Sequence, residues 1–327
     1  MCYTTPVITR KGYIMNELEV YNTNAGITST QDKWQELYTK FLAYIDVKER
    51  THETYSKVIR QFLLYLQANN ITQPTRDTVI EWRESLKAEH EPTTIQTYIT
   101  SLRAFFKFLA FEGYYPNIVD KVKGAKIRRE FKKQSLTTEQ SHNILNALKA
   151  RIDEKGKRDY AIVALMLTTG LRTIEVIRAN IEDMTNIGDS VQLFVQGKGR
   201  DDKSESVRLA PQVEEAIREY LKTRPNANET EPLFTGTSNN GLGERMTTRS
   251  VSRIVKDTLR SVGLNSKKLT AHSLRHTAGT LALLNGHSVQ EVQQVLRHTN
   301  INTTMIYAHN IERAKNTSEL SVANAIF

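Results

Sequence analysis

The feature that most constrains the fold of this 327-residue chain is the spacing of its apolar residues, which recur at helical intervals through most of the sequence. Between Gln31 and Phe111 this spacing defines four successive segments, because an α-helix brings residues three and four positions apart onto one face. Residues typical of helix ends and starts, such as Asn69, Asn70 and Pro92, separate the segments. The first part of the chain is therefore predicted to be a bundle of four helices.

The second part of the chain is also predicted to be mainly helical, with a short β-hairpin. A helix-start motif of the S/T-x-x-E type stands at Ser135–Glu139, and helical spacing resumes after it. Two short segments, 190–196 and 205–210, have strand character, and the turn between them carries Lys198. We expect a mainly α fold with a small β-sheet, in which an all-α domain precedes an α+β domain.

A basic segment separates the two predicted domains. Gly113, Pro116 and Gly124 break the helical spacing there. Only Asp120 and Glu130 oppose a set of cations, namely Lys121, Lys123, Lys126, Arg128, Arg129, Lys132 and Lys133. The segment is predicted to be a linker, either a solvated hinge or a strap that lies along a DNA backbone.

The composition limits the partners and the location. The formal net charge is +9, and lysine and arginine gain affinity for polyanions by displacing counterions from phosphates. Nucleic acid is the leading candidate partner, and a merely basic surface is the alternative. The single cysteine, Cys2, permits neither an intrachain disulfide nor a thiolate metal cluster. Because no apolar run is long enough to cross a membrane, we expect an intracellular protein.

Histidines cluster near the C-terminus, where five of the eight lie between residues 272 and 309. The segment HSLRH at 272–276 places two histidines and an arginine within about one helical turn. A second apolar helix ends in LRH at 296–298, shortly before Tyr307. The two histidines of HSLRH have a spacing that can bind zinc, but the motif lacks the glutamate of HExxH, which disfavours a zinc hydrolase.

Four motifs in the second part of the chain resemble those of the tyrosine recombinases, the phage integrase family of Xer-like enzymes and integrases of bacterial mobile elements. They are TTGLRTIEV at 168–176, GKGRDDK at 197–203, HSLRHT at 272–277 and VLRHTNINTTMIYAH at 295–309. Each motif alone is a weak signal, whereas their order and their gaps together are specific. The resemblance extends from about residue 28 to the end, because the four-helix segment is similar to the family's core-binding, SAM-like domain.

The resemblance implies a division of the chain. The implied parts are an N-terminal extension (1–27), a core-binding domain (28–115), a basic linker (116–134), a catalytic domain (135–311) and a tail exchanged between protomers (312–327).

The resemblance also implies a catalytic set. The matching residues are Arg172, Lys198, His272, Arg275, His298 and the nucleophile Tyr307, with Glu175 in support. Guanidinium groups can bind phosphate oxygens bidentately, and a phenol with a pKa near 10 needs nearby cations or a proton acceptor before it attacks. His272 is the candidate acceptor or else a hydrogen-bond donor, and Lys198 is the candidate general acid, ahead of Lys203. The family commonly has glycine where this chain has Arg297, so we expect a local difference there.

The activity that the resemblance implies is cleavage and rejoining of DNA through a 3′-phosphotyrosyl intermediate and a Holliday junction. The implied assembly is a homotetramer that synapses two DNA sites, without cofactor or metal, with an accessory directionality factor as a further partner. Integration or excision of a phage or conjugative transposon is favoured over resolution of chromosome or plasmid dimers, and a non-catalytic DNA-binding regulator ranks lower. Such an enzyme is expected in the bacterial cytoplasm, at the nucleoid.

Overall fold

The computed structural model of the protein describes residues 30–126, 134–197, 200–238 and 241–327. The chain divides into two compact units, Met1–Arg129 and Glu130–Phe327. Helices dominate both units, and the three strands among the described residues form one small sheet. The predicted mainly α fold with a small β-sheet is confirmed. The predicted extension 1–27 lies outside the described residues.

The N-terminal unit is the predicted four-helix bundle. Its helices are α1 (Thr30–Tyr44), α2 (Glu49–Ala68), α3 (Arg76–Ser85) and α4 (Pro92–Phe111). The side chain of Thr75 accepts a hydrogen bond from the backbone of Thr78 and caps α3, while Pro92 occupies the first turn of α4, where its missing N–H costs nothing. Local sequence signals therefore fix where these helices begin.

Aromatic side chains fill the core of the N-terminal unit. The Phe62 and Phe106 rings meet edge to face with centroids 6.1 Å apart, and Phe41 meets Phe105 in the same way at 5.3 Å. All four side chains are buried. Burying one such ring stabilises the fold by about 1.5–3 kcal/mol, so this bundle is held mainly by apolar packing.

The C-terminal unit contains the remaining elements. Its helices are α5 (Thr138–Lys149), α6 (Glu154–Thr169), α7 (Thr173–Arg178), α8 (Pro211–Leu221), α9 (Thr248–Ser261), α10 (Ala271–Leu284), α11 (Val289–Leu296), α12 (Asn302–Lys315) and α13 (Ser318–Ile326). The helix predicted to start at the Ser135–Glu139 motif is α5, but its cap is Thr137, which accepts a hydrogen bond from the backbone of Gln140. The capping box thus lies two residues later than the sequence motif suggested.

The sheet has the antiparallel order β1-β2-β3, with β1 at Met184–Ile187, β2 at Ser190–Val195 and β3 at Glu205–Arg208. The hairpin predicted from the sequence is β2 and β3, in which Val195 pairs with Glu205. Strand β1 was not predicted, because it is short and almost wholly exposed and so lacks the alternation that marks a half-buried strand.

Helix α6 lies at the centre of the C-terminal unit and packs against α5, α8 and α10. It ends at Gly170, whose φ of 64° is left-handed. A Cβ at this position would lie 2.4 Å from Cδ2 of Leu296, so glycine is needed both for the backbone and for the close approach of α11. This junction brings the ends of α6 and α11 together next to α10.

Candidate active site

Arg172 and Glu175 lie at the start of α7, directly after the end of α6. The Glu175 carboxylate accepts hydrogen bonds from the backbone N–H of Arg172 and from its Nη1, both at 2.7 Å. The Glu175 side chain is fully buried, whereas that of Arg172 is 28% exposed. Burial raises the pKa of Glu175, but Arg297 and Arg172 outweigh burial and hold it below its ordinary value. Glu175 is therefore a carboxylate that orients Arg172.

Arg275 occupies the junction between α6, α10 and α11. Its guanidinium donates to the carbonyl oxygen of Gly170 at 2.6 Å and to that of Leu296. The residue is 1% exposed, and its Nε has no hydrogen-bond partner within the described residues. Burial, followed by the positive charge of Arg172, lowers the pKa of Arg275 to about 9, so the group is still protonated at neutral pH.

Tyr307 on α12 is the predicted nucleophile, and it is 3% exposed. Its hydroxyl lies 2.5 Å from Nδ1 of His276 on α10. Burial raises the pKa of the phenol to about 12, although Arg275 and Arg172 act in the opposite direction. A phenol in this environment stays protonated until a base accepts its proton, and His276 is a base in hydrogen-bonding contact with it.

His298 connects the end of α11 to α12. Its Nδ1 lies 2.8 Å from Oγ1 of Thr304, and its ring is parallel to that of Tyr307 with centroids 6.3 Å apart. Burial, followed by the positive charges of Arg275, Arg172, His272 and Arg297, lowers the pKa of His298 to about 4. These charges act on one imidazole, so the structure brings described residues from three of the four motifs into one site.

His272 is exposed at the first turn of α10, and its ring meets that of His276 edge to face with centroids 4.5 Å apart. His272 is the proton acceptor that the motif resemblance predicts, or else a hydrogen-bond donor, and no catalytic role is predicted for His276. In the structure, His276 is the histidine with its ring nitrogen at the Tyr307 hydroxyl. The sequence signal for this contact was present in the HSLRH motif, but the motif alone does not show which imidazole points at α12.

Arg297 is the second residue of the candidate site whose contact the sequence did not reveal. Its Nη2 donates to Oε2 of Glu175 at 3.0 Å, and its side chain is 6% exposed. The residue ends α11 with φ 53° and ψ 48°, a left-handed conformation that glycine adopts most readily. The predicted local difference is therefore present as a buried ion pair.

The predicted basic residues are only partly within the described residues. Lys198, Arg128, Arg129, Lys132 and Lys133 lie outside them. Lys121, Lys123 and Lys126 are exposed in the N-terminal unit. Lys203, the alternative to Lys198, donates to the carboxylate of Asp183 at 2.5 Å.

Two further observations concern the part of the chain that the structure describes. In it, no group of three or more His, Cys, Asp or Glu side chains is arranged to hold a metal ion. No helix in these residue ranges is long and apolar enough to span a membrane.

The chain matches two family models. Residues 134–313 match the phage integrase family, and residues 38–113 match the phage integrase N-terminal SAM-like domain. The two matches cover, respectively, the unit that contains the candidate site and the four-helix bundle.

Relatives and solved structures agree with these matches. Tyrosine recombinase XerD of Lacticaseibacillus casei is 30% identical over 289 residues, which are 84% of this chain and 93% of the relative. The XerH recombinase bound to palindromic difH substrate, a post-cleavage complex, has a TM-score of 0.74 at 20% identity and covers 90% of this chain and 98% of its own. A lambda integrase tetramer bound to a Holliday junction has a TM-score of 0.62 at 17% identity and covers 84% and 76%. This chain belongs to the phage integrase family and is a tyrosine-type site-specific DNA recombinase.

Proposed function

We propose that Tyr307 attacks the scissile phosphate of a DNA recombination site and forms a 3′-phosphotyrosyl bond. The bond between phosphorus and the 5′-oxygen breaks as the bond to the phenolic oxygen forms, which leaves a free 5′-hydroxyl. The 5′-hydroxyl of a partner strand then attacks the phosphotyrosine and releases Tyr307. One phosphodiester is exchanged for another, so the reaction consumes no ATP, metal or nucleotide cofactor.

The observation that carries this proposal is the buried cation next to the buried phenol. Arg275 forms no ion pair in the described part of the chain, and its Nε lacks a hydrogen-bond partner there. Such a group costs free energy unless an anion compensates it. Arg172, which is partly exposed, lies close enough to lower the pKa of Arg275. Together the two guanidinium groups suit the non-bridging oxygens of a phosphodiester, on which charge develops during attack.

The proton transfers follow from the same geometry. His276 accepts the phenolic proton through Nδ1, since the hydroxyl already lies 2.5 Å from it. His272, which is exposed beside His276, and His298, which is neutral at pH 7, donate hydrogen bonds to the phosphate. Lys198 gives a proton to the departing 5′-oxygen, and this role rests on the motif resemblance. The resemblance also supports the placement of the linker cations along the DNA backbone, namely Arg128, Arg129, Lys132 and Lys133.

The proposal is tested with nicked duplex DNA that traps the covalent intermediate. Duplexes carrying candidate attachment sites from the DNA flanking the gene are nicked just beyond the scissile phosphate, so the short 5′-hydroxyl fragment diffuses away. We expect a covalent adduct that peptide mapping assigns to Tyr307 and that Tyr307→Phe does not form. An adduct on another residue, or cleavage by Tyr307→Phe, would overturn the proposal. Relaxation of supercoiled DNA lacking a site would indicate a type IB topoisomerase instead.

We further propose that four protomers synapse two DNA sites and exchange strands through a Holliday junction. The lambda integrase tetramer shares the fold of this chain and was solved on a Holliday junction. In this chain the C-terminal segment is suited to a neighbour, because α13 exposes Leu320, Val322 and Ile326, and Phe327 directly after it is exposed as well. A chain ended at Asn310 should bind one site but assemble poorly on two, which native gels with labelled DNA measure.

For the biological role we propose integration or excision of a phage or conjugative transposon, aided by an accessory directionality factor, in the bacterial cytoplasm at the nucleoid. The XerD relative supports the alternative, resolution of chromosome or plasmid dimers. Capture of the sites recombined in living cells separates the two: an element's ends support the first proposal, whereas a chromosomal or plasmid resolution site supports the second.

A further inference from the structure

Arg297 is held in a backbone conformation that its side chain does not favour. Its φ is 53° and its ψ is 48° at the C-terminal end of α11, and the Cβ of any residue other than glycine is crowded in this region. Non-glycine residues persist in such conformations where the surrounding structure determines them, commonly at functional sites. The side chain of Arg297 should therefore make contacts that a glycine could not supply.

Those contacts lead to Glu175. Arg297 Nη2 donates to Oε2 of Glu175 at 3.0 Å, and Nη1 donates to the carbonyl oxygen of Val295 at 2.7 Å. Oε2 also accepts from the backbone of Arg172, while Oε1 accepts from its Nη1. One fully buried carboxylate thus binds two guanidinium groups, one of which is 6% exposed and the other 28% exposed.

The charges around Glu175 make Arg297 important for its ionisation. The charge of Arg297 is the largest single cause that lowers the pKa of Glu175 against burial, and Arg172 lowers it through its hydrogen bonds and its charge. Arg275 on α10 also feels the charge of Glu175. Helix α9 and strand β2 pack against α7 as well, and their buried side chains are all uncharged. Without Arg297, a protonated Glu175 would accept hydrogen bonds from Arg172 less strongly.

We propose that Arg297 is a positioning residue for strand cleavage, which fixes the Glu175 carboxylate and thereby holds the Arg172 guanidinium at the scissile phosphate. The inference rests on the proposed function, in which Arg172 contacts that phosphate. Arg297 acts through Glu175, and its contact with the DNA is not required for this role. Arg297 also directly precedes His298 at the end of α11, which further links this end of the helix to the phosphate site.

The test measures the single-turnover rate of Tyr307 adduct formation on nicked DNA across a range of pH, together with DNA affinity and melting temperature. We expect Arg297→Gly to lower the rate by about 10- to 100-fold, which is the usual loss when a residue that orients a directly contacting group is removed. The DNA affinity should stay within about twofold of the wild-type value. The melting temperature should not fall in proportion to the loss in rate, because glycine adopts the left-handed backbone freely. Arg297→Asn, which also tolerates this backbone, should behave like Arg297→Gly, and Arg297→Lys should recover part of the rate.

The pH profile and a double-mutant cycle separate positioning from a general structural defect. The loss in Arg297→Gly should grow as the pH falls, since Glu175 then takes up a proton more easily. Combining Glu175→Gln with Arg297→Gly should be no slower than Glu175→Gln alone within about threefold, because residues that act through one another are not additive. The control is Arg218→Ala, which removes an exposed ion pair with Glu214 and should leave every measurement unchanged.

Two results would overturn the inference while leaving the proposed function intact: wild-type rates in Arg297→Gly, or losses that multiply in the double variant. Failure of the proposed function looks different, because the wild-type protein would then form no Tyr307 adduct. In that case the free energy of unfolding in urea is measured for the single and double variants as a function of pH. Additive effects of Arg297→Gly and Glu175→Gln on this free energy would also refute the coupling.

Discussion

The N-terminal and C-terminal units are both mainly helical, yet their interiors differ in chemistry. Within the described residues, the buried polar side chains of the N-terminal unit are the uncharged Ser56, Thr78 and Ser101. The C-terminal unit instead buries several ionisable ones, including Arg158, Asp159, Glu175, Asp183, Arg275 and His276. Burying a charge costs several kcal/mol unless the charge is paired. Stability therefore explains the uncharged interior of the N-terminal unit, but it does not explain the buried charges of the C-terminal unit.

The C-terminal unit itself contains two kinds of buried charge. Arg158 pairs with Asp159 at 2.7 Å and donates to the carbonyl oxygen of Thr235 at 3.0 Å, so this pair is satisfied within the protein. Arg275, by contrast, keeps an unpartnered Nε among the described residues, and so does Arg297. Incomplete hydrogen bonding thus separates a buried charge that can still bind a ligand from one that the protein itself satisfies.

The greatest loss of activity is expected at Arg275, a buried cation with incomplete hydrogen bonding. Arg275→Met keeps an unbranched apolar side chain as far as the position of Nε and removes the charge, and we expect strand cleavage to fall by about 10³-fold or more, as when a transition-state donor is lost. Stability should change little, because relief of desolvation offsets the lost hydrogen bonds to two carbonyl groups. Adduct kinetics and calorimetry check this. Cleavage within tenfold of wild type would show that the buried charge is not functional.

The opposite result is expected in the N-terminal unit. Phe106→Ala should lower the free energy of unfolding by about 3–5 kcal/mol, since Phe106 is fully buried. Both tryptophans, Trp34 and Trp82, lie in this unit, so their fluorescence during urea unfolding reports on it alone. Phe111→Ala is the control, because Phe111 is 77% exposed and its loss should be nearly neutral. Equal effects of the two substitutions would contradict the proposed role of apolar packing.

A smaller loss of activity is expected at His276, the buried histidine in contact with the Tyr307 hydroxyl. Asparagine can place an oxygen near the position of Nδ1 but cannot take up a proton, so His276→Asn should slow cleavage by about 10²-fold. The rise of the rate between about pH 5 and 8 should also become flatter. His287→Asn removes an exposed histidine of the same unit and should change neither quantity. An unchanged pH profile in His276→Asn would point back to His272 as the proton acceptor.

The smallest expected effect is that of His298 on how the free energy of unfolding depends on pH. The pKa of His298 is lowered from 6.5 to about 4, so the unfolded chain binds a proton first as the pH falls. The contribution of neutral His298 to the free energy of unfolding is therefore fully present above pH 6.5 and is lost towards pH 4. We expect the C-terminal unit to lose about 1–3 kcal/mol over this range, since one pKa unit corresponds to about 1.4 kcal/mol. His298→Asn should remove most of that loss in urea unfolding followed by circular dichroism; an equal loss in the variant would contradict it.

Much of the fold could be predicted because helices carry their own pattern. The apolar spacing located α1 to α4, and the alternating segments located β2 and β3. The catalytic set was predicted from motif resemblance, and the structure brings its described members together around His298. The assignment of roles to these residues stays a prediction.

The contacts that the sequence could not show join distant segments. Arg297 and Glu175 are separated by 122 positions, and His276 and Tyr307 by 31. No local periodicity relates such residues, because their meeting depends on how α7, α10, α11 and α12 pack. The sequence did flag Arg297 as unusual, but only the packed structure shows what its side chain binds.

The enclosure of Tyr307 has a consequence for how the protein behaves away from DNA. With 3% exposure this phenol is closed to bulk solvent, whereas Tyr44 and Tyr114 are 56% and 38% exposed. Small phosphate esters and tyrosine-modifying reagents in solution therefore meet the other rings first. In the proposed mechanism, a phosphodiester reaches Tyr307 only after α12 or its neighbours move, and DNA binding would supply the free energy for that movement. The proposed nucleophile would then be shielded in a protomer that has no DNA bound.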